Sequence, residues 1–115
     1  MSEQCIFCKI IGKQIPSSIV HEDEQVIAFR DINPQAPTHL LIVPKVHIPS
    51  LNELSLEHAA ILGHISMVAK SLARESGLAE SGWRLVINCG AGAGQTVFHL
   101  HVHLLGGRPM SGQMA

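Results

Sequence analysis

The sequence predicts an α+β domain with a mainly antiparallel sheet. Two hairpin-like pairs of short apolar runs carry that reading, together with one long amphipathic stretch between them. At 115 residues the chain is read as one domain, 1–115, with room for a modest core.

Taken in order, Cys5 to Lys13 carries Ile6, Phe7, Ile10 and Ile11 at helical spacing, which predicts a short helix ended by Gly12. Ile19 to His21 and Val26 to Arg30 flank the acidic turn Glu22-Asp23-Glu24 and read as a hairpin. Asp31 to Pro37 holds two prolines and an asparagine, so it is a loop. Leu40 to Val43 is a continuous apolar strand ended by Pro44. A long helix is expected from about Ser55 to Glu75. Ile61, Ile65, Val68 and Leu72 form its stripe, widened by Leu62, Ala69 and Ala73, with Ser55 as N-cap and Gly77 just past the end. Trp83 to Asn88 is a further strand, followed by the loop Cys89 to Thr96. His99 to Leu105 closes the domain as the last strand.

Composition narrows the function. The chain is 46% apolar and 15% charged, where an average soluble domain has about 25% charged residues. Surface this short of charge is expected to be hidden in a partner, most simply a second copy. The net charge of −1 supplies no basic field for a nucleic acid backbone. Met1-Ser2-Glu3-Gln4 is polar and no apolar run approaches the ~18 residues of a membrane span. A cytoplasmic protein is expected, without membrane attachment. Its three cysteines are then thiols or metal ligands rather than a disulfide framework.

The chemistry concentrates in His99-Leu100-His101-Val102-His103-Leu104-Leu105. Strand alternation sends the three histidines to one face and the aliphatic residues to the other. Half-buried strands ordinarily carry inexpensive polar residues on their open face, and a row of imidazoles titrating near neutrality is different. It can bind a metal, hold a phosphate, or attack an electrophile. Over roughly 13 Å the three cannot all reach one ion. The preceding loop, with Gly90, Gly92 and Gly94, lets backbone N–H groups approach an anion, and Thr96 adds a hydroxyl. Asn88 offers a neutral donor, while His39 and Asp31 sit where a pocket would use them. Cys5 and Cys8 are half of a zinc site or two buried thiols; His47 and His99 are available to complete a Cys₂His₂ set. His58 and His64, on the long helix, and His21 read as packing or surface groups.

The run His99 to Leu105 resembles the signature of the histidine triad (HIT) superfamily. Cys5 to Ile11, Ile15-Pro16-Ser17, Ala28 to Ile32, Pro34 to His39, Pro44 to Ile48, Gly94 to His99 and Leu104 to Pro109 look like its nucleotide-binding (Hint) branch. The resemblance implies a five-stranded sheet with one long and one short helix, two such sheets joining across a homodimer. It implies hydrolysis of purine nucleoside phosphoramidates, with no cofactor for catalysis. By motif position, His101 is the nucleophile, and His103 and His39 bind phosphoryl oxygens, one assisting proton transfer to the amine. Asn88, Thr96, Gln95 and Val97 complete the phosphate cradle. Asp31 takes the ribose, and Phe7, Ile10, Ile15, Phe29 and Ile32 line the base slot. Some bacterial-type relatives hold a structural zinc on residues that match Cys5, Cys8, His47 and His99, and all four are present in this chain. A nucleotide-binding interaction protein and a dinucleoside polyphosphate hydrolase are the alternative readings.

Overall fold

The computed structural model describes residues 4–113; the polar start over residues 1–3 lies outside them. Five antiparallel strands form one sheet: β1 (Ile19–Glu22), β2 (Val26–Arg30), β3 (Thr38–Pro44), β4 (Trp83–Val86) and β5 (Val102–Gly106). Their order is β1-β2-β3-β5-β4. The expected α+β architecture is therefore present, with a short helix α1 (Ile6–Ile11) and a long one α2 (Ala60–Glu75).

The two-residue alternation of the strands divides the interior into two layers. Val26, Ala28, Leu40, Ile42, Val102 and Leu104 face α2, meeting Ile61, Ile65, Val68, Ala69, Leu72 and Ala73. Ile27, Phe29, Leu41 and Val43 face the other way, onto Cys5, Phe7, Cys8 and Ile10 of the α1 segment. Each fully buried large aliphatic side chain in these layers stabilises the fold by about 1.5–3 kcal/mol. The register pairs Leu41 with His103 and His39 with Leu105, so His39 and His103 are diagonal neighbours on the α1 side.

Three elements differ from the sequence reading. The long helix begins at Ala60, not Ser55, and two 3₁₀ turns (Leu51–Glu53 and Leu56–His58) precede it. Its apolar stripe starts only at Ile61. Leu56, 96% exposed, buries nothing that would hold an earlier α-turn, and the Ser55 side chain makes no capping bond. Strand β4 stops at Val86 rather than Asn88. The last ladder starts at Val102 rather than His99, because the Leu100 amide donates to the Ile48 carbonyl at 2.7 Å. The α2 C-terminus is as expected, with Gly77 at φ +76.

Two of the three histidines read as packing or surface groups prove to be partnered. His21 Nε2 and His64 Nε2 both donate to Asp23 Oδ2, at 2.7 and 2.8 Å. Asp23 Oδ1 accepts from the Gln25 and Val26 amides. Partial burial pushes the Asp23 carboxyl up, but these four hydrogen bonds together hold it well below the usual carboxylate range. One aspartate thus fastens the first hairpin to α2.

Gly107 follows β5 directly and packs against Pro37, in the loop between β2 and β3. It has φ +96, and an added Cβ would stand 2.9 Å from Pro37 Cβ. Gly107→Ala is expected to lower stability by about 1–3 kcal/mol. Gly63→Ala, in the exposed face of α2 with open space around it, should raise stability by about 0.5–1 kcal/mol. Urea unfolding of the two variants checks both signs.

Candidate functional site

Helix α1 is six residues long and cannot cover its face of a five-stranded sheet. The remainder is a cavity of about 690 Å³. Phe7, Ile10, Ile15 and Phe29 supply apolar walls, Asp31 and Ile32 the rim, and His101 and His103 one end beside Thr96 and Val97. The histidine face is not an open strand face as the sequence suggested. His99 is fully buried and His101 nearly so, because the α1 segment packs on it: the Phe7 ring stands edge-on to both imidazoles.

Hydrogen bonds to groups of fixed polarity settle how the rings are protonated. His101 Nδ1 lies 2.7 Å from the His99 carbonyl, which can only accept. Its proton is therefore on Nδ1, leaving the Nε2 lone pair. His99 Nε2 likewise donates to the Pro44 carbonyl at 2.7 Å, leaving its Nδ1 lone pair toward Cys5, Cys8 and His47. His39 and His103 meet, Nε2 to Nδ1, at 2.9 Å.

The second cluster lies beneath α1. His99 Nδ1 is 3.3 Å from Cys5 Sγ, 3.6 Å from Cys8 Sγ and 3.1 Å from His47 Nδ1, and Cys8 Sγ is 3.3 Å from His47 Nδ1. A tetrahedral zinc with ordinary Zn–N and Zn–S bonds has ligand–ligand edges of about 3.3 Å between nitrogens and about 3.6 Å between nitrogen and sulfur. These four edges are already spaced for such an ion, and all four ligand atoms lie within 4.8 Å of one another. The bond from His99 Nε2 to a carbonyl is the outer support that metal-ligating imidazoles ordinarily have. The donor set fits a structural zinc.

A family model described as "Scavenger mRNA decapping enzyme C-term binding" matches residues 4–115. A HIT family hydrolase of solved structure from Clostridium thermocellum is 52% identical, with TM-score 0.97 and full coverage of both chains. The chain belongs to the histidine triad superfamily. Among curated relatives, the purine nucleoside phosphoramidase of Escherichia coli K12 is 51% identical over 115 residues, covering 100% of this chain and 97% of the relative. A 14 kDa zinc-binding protein of Zea mays is 56% identical over 108 residues, 92% of this chain and 84% of the relative. The chain is accordingly a histidine triad hydrolase.

Within this histidine triad fold the remaining predicted residues fall at different depths. His39 is buried behind His103 and does not line the cavity. Asp31 Oδ1 accepts from the Asn33 amide at 2.8 Å, and its Oδ2 lies 3.4 Å from His39 Nε2. Asn88 is half-buried and stands near Gly94. The Gln95 side chain is buried scaffolding: it accepts from the Gly90 amide and donates to the Pro49 and Val97 carbonyls. Sequence reasoning missed the backbone groups, namely the Pro44 carbonyl that orients His99 and the Gln35 amide 3.0 Å from His39 Nδ1. No residue type signals a main-chain partner. No helix among the described residues is long and apolar enough to cross a membrane.

Burial is the main reason His103 is pushed down to about 4, with charge on His101 and His39 acting the same way and Asp31 opposing. The unfolded chain therefore binds a proton on His103 near 6.5, while the folded one stays neutral until about 4. The His103 contribution to stability should be lost as pH drops through that window and stay constant below it, where the loss from protonating Asp23 takes over. Urea midpoints across the window check this, and His103→Asn should make the fall shallower; an unchanged slope in the variant contradicts the assignment.

Proposed function

We propose that the chain hydrolyses purine nucleoside phosphoramidates, cleaving the P–N bond between a nucleoside monophosphate and an amine through a nucleotidyl-His101 intermediate. The observation that carries this reading is the pinned Nδ1–H of His101, which leaves a nucleophilic Nε2 at the end of a nucleotide-sized cavity. The identity to a named phosphoramidase supports the substrate class.

In this reading the base lies among Phe7, Ile10, Ile15, Phe29 and Ile32, and Asp31 Oδ2 accepts from the ribose hydroxyls. The His101 Nε2 lone pair attacks the α-phosphorus while the P–N electron pair goes to the amine nitrogen. That nitrogen takes up a proton from His103, whose imidazolium the phosphoryl charge favours in the complex. Water then attacks the phosphorus, the P–Nε2 pair returns to His101, and the water's proton restores His103. Thr96, Asn88 and the backbone at Gln95 and Val97 donate to the phosphoryl oxygens. His39 acts from behind His103. No step requires a metal.

Around this centre we assign one HIT domain over 1–115, a homodimer in which two sheets join, a cytoplasmic location, and no nucleic acid or membrane partner. Zinc on Cys5, Cys8, His47 and His99 brings no chemistry to the reaction; it ties the α1 segment to the histidine row.

His101→Ala should lower turnover of an adenosine phosphoramidate by about a thousandfold or more; a wild-type rate in the variant would falsify the nucleophile assignment. Diadenosine polyphosphate, assayed in parallel, should be the poorer substrate. Metal analysis of protein purified without added zinc should find about one ion per chain. Cys5→Ser/Cys8→Ser should abolish it and lower the melting temperature, and metal retained by that variant contradicts the site.

A further inference from the structure

We infer that the backbone amide of Gln35 is a positioning group for the hydrolysis, setting the tautomer of His39 and, through His39, that of His103. The inference rests on the role proposed above for His103 at the phosphoryl group.

An amide N–H only donates. The Gln35 amide lies 3.0 Å from His39 Nδ1, so that nitrogen must hold a lone pair, and neutral His39 carries its proton on Nε2. This Nε2–H is 2.9 Å from His103 Nδ1, which must then accept. His103 is left with its own proton on Nε2. One main-chain donor thus propagates through a buried ring and a half-buried one, and what reaches the nucleotide end of the cavity is an N–H rather than a lone pair. A donor is the group an anionic phosphoryl oxygen requires. With His101 showing a lone pair and His103 an N–H, adjacent imidazoles have opposite roles before any substrate arrives.

The same donor decides against a rival use of these residues. One ligand atom from each of Asp31, His39 and His103 lies within 4.8 Å of the others, a spacing compatible with a cation. A metal on His39 Nε2 would force the proton to Nδ1, against the Gln35 N–H. Protonation of His39 meets the same obstacle, in keeping with its downward shift from burial. Asp31 Oδ2, at 3.4 Å, is beyond ordinary hydrogen-bond range of His39. The imidazolium that His103 forms in the substrate complex must displace the His39 bond from its Nδ1, so the amide also keeps the resting pair neutral.

The following peptide unit is held as well, where Arg108 Nη2 donates to the Gln35 carbonyl at 3.0 Å. The loop has Pro34 before it and Pro37 after it, two residues of fixed φ that limit how the amide can turn.

Long-range proton–nitrogen spectra of the wild-type imidazoles near neutral pH should show Nε2–H at His39 and His103 and Nδ1–H at His101. The Gln35 N–H can be removed alone by a backbone ester at that position, and Gln35→Pro removes it by ordinary mutagenesis. The ester form, which keeps the side chain, should show an Nδ1–H population at His39. Its kcat on an adenosine phosphoramidate should fall about tenfold, with KM changed less than about twofold. A wild-type His39 protonated on Nδ1 overturns the inference, as does an ester form with altered tautomers and unaltered kcat. The expected tautomers in a wild-type protein without phosphoramidase turnover would support the assignment of the rings and count against the hydrolytic reading instead.

Discussion

His99 is the constraint from which the rest of the site follows. Its ring is fully buried, and both ring nitrogens and the carbonyl are engaged. Nε2 donates to Pro44, Nδ1 meets two thiols and a second imidazole, and the carbonyl receives His101 Nδ1–H. The first of these bonds ties the end of β3 to the start of the last segment. The second ties in the N-terminal helix. The third hands the orientation on to the neighbouring ring. Moving His99 by an ångström would disturb three elements and the presentation of His101 together.

The sheet makes this possible by facing two unequal helices. Against α2 it meets the apolar stripe of a sixteen-residue helix and forms a closed aliphatic layer. Against α1 it meets six residues and forms a layer that stops short. Aliphatic packing ends at Phe7 and Phe29, and polar chemistry begins at His101 and His103 on the same face. The cavity is the part of the core that the short helix leaves uncovered.

Much of this was legible in the residues. The two-residue period of the histidine run required the rings to share a face, and they do. Cys5, Cys8, His47 and His99 could be grouped by donor type, and the fold brings them to ligand spacing. Depth was not legible, since alternation shows which residues share a face but not what covers it. The helix start was misplaced because Ser55 has the chemistry of a cap without the buried stripe that would make a helix there. Asp23 read as part of an acidic turn, and only tertiary contact brings it a second imidazole, that of His64, 41 positions away. The main-chain groups at Pro44 and Gln35 were beyond reach, because every residue except proline carries the same donor and acceptor.

The glycine-rich segment before the histidine run has a further consequence. It reads as a loop, yet a 3₁₀ turn occupies Ala91–Ala93 and the Gln95 side-chain amide spans from Gly90 to Pro49. A loop already fastened at both ends loses little conformational freedom when an anion settles against it. Ligand affinity is then not taxed by an ordering step.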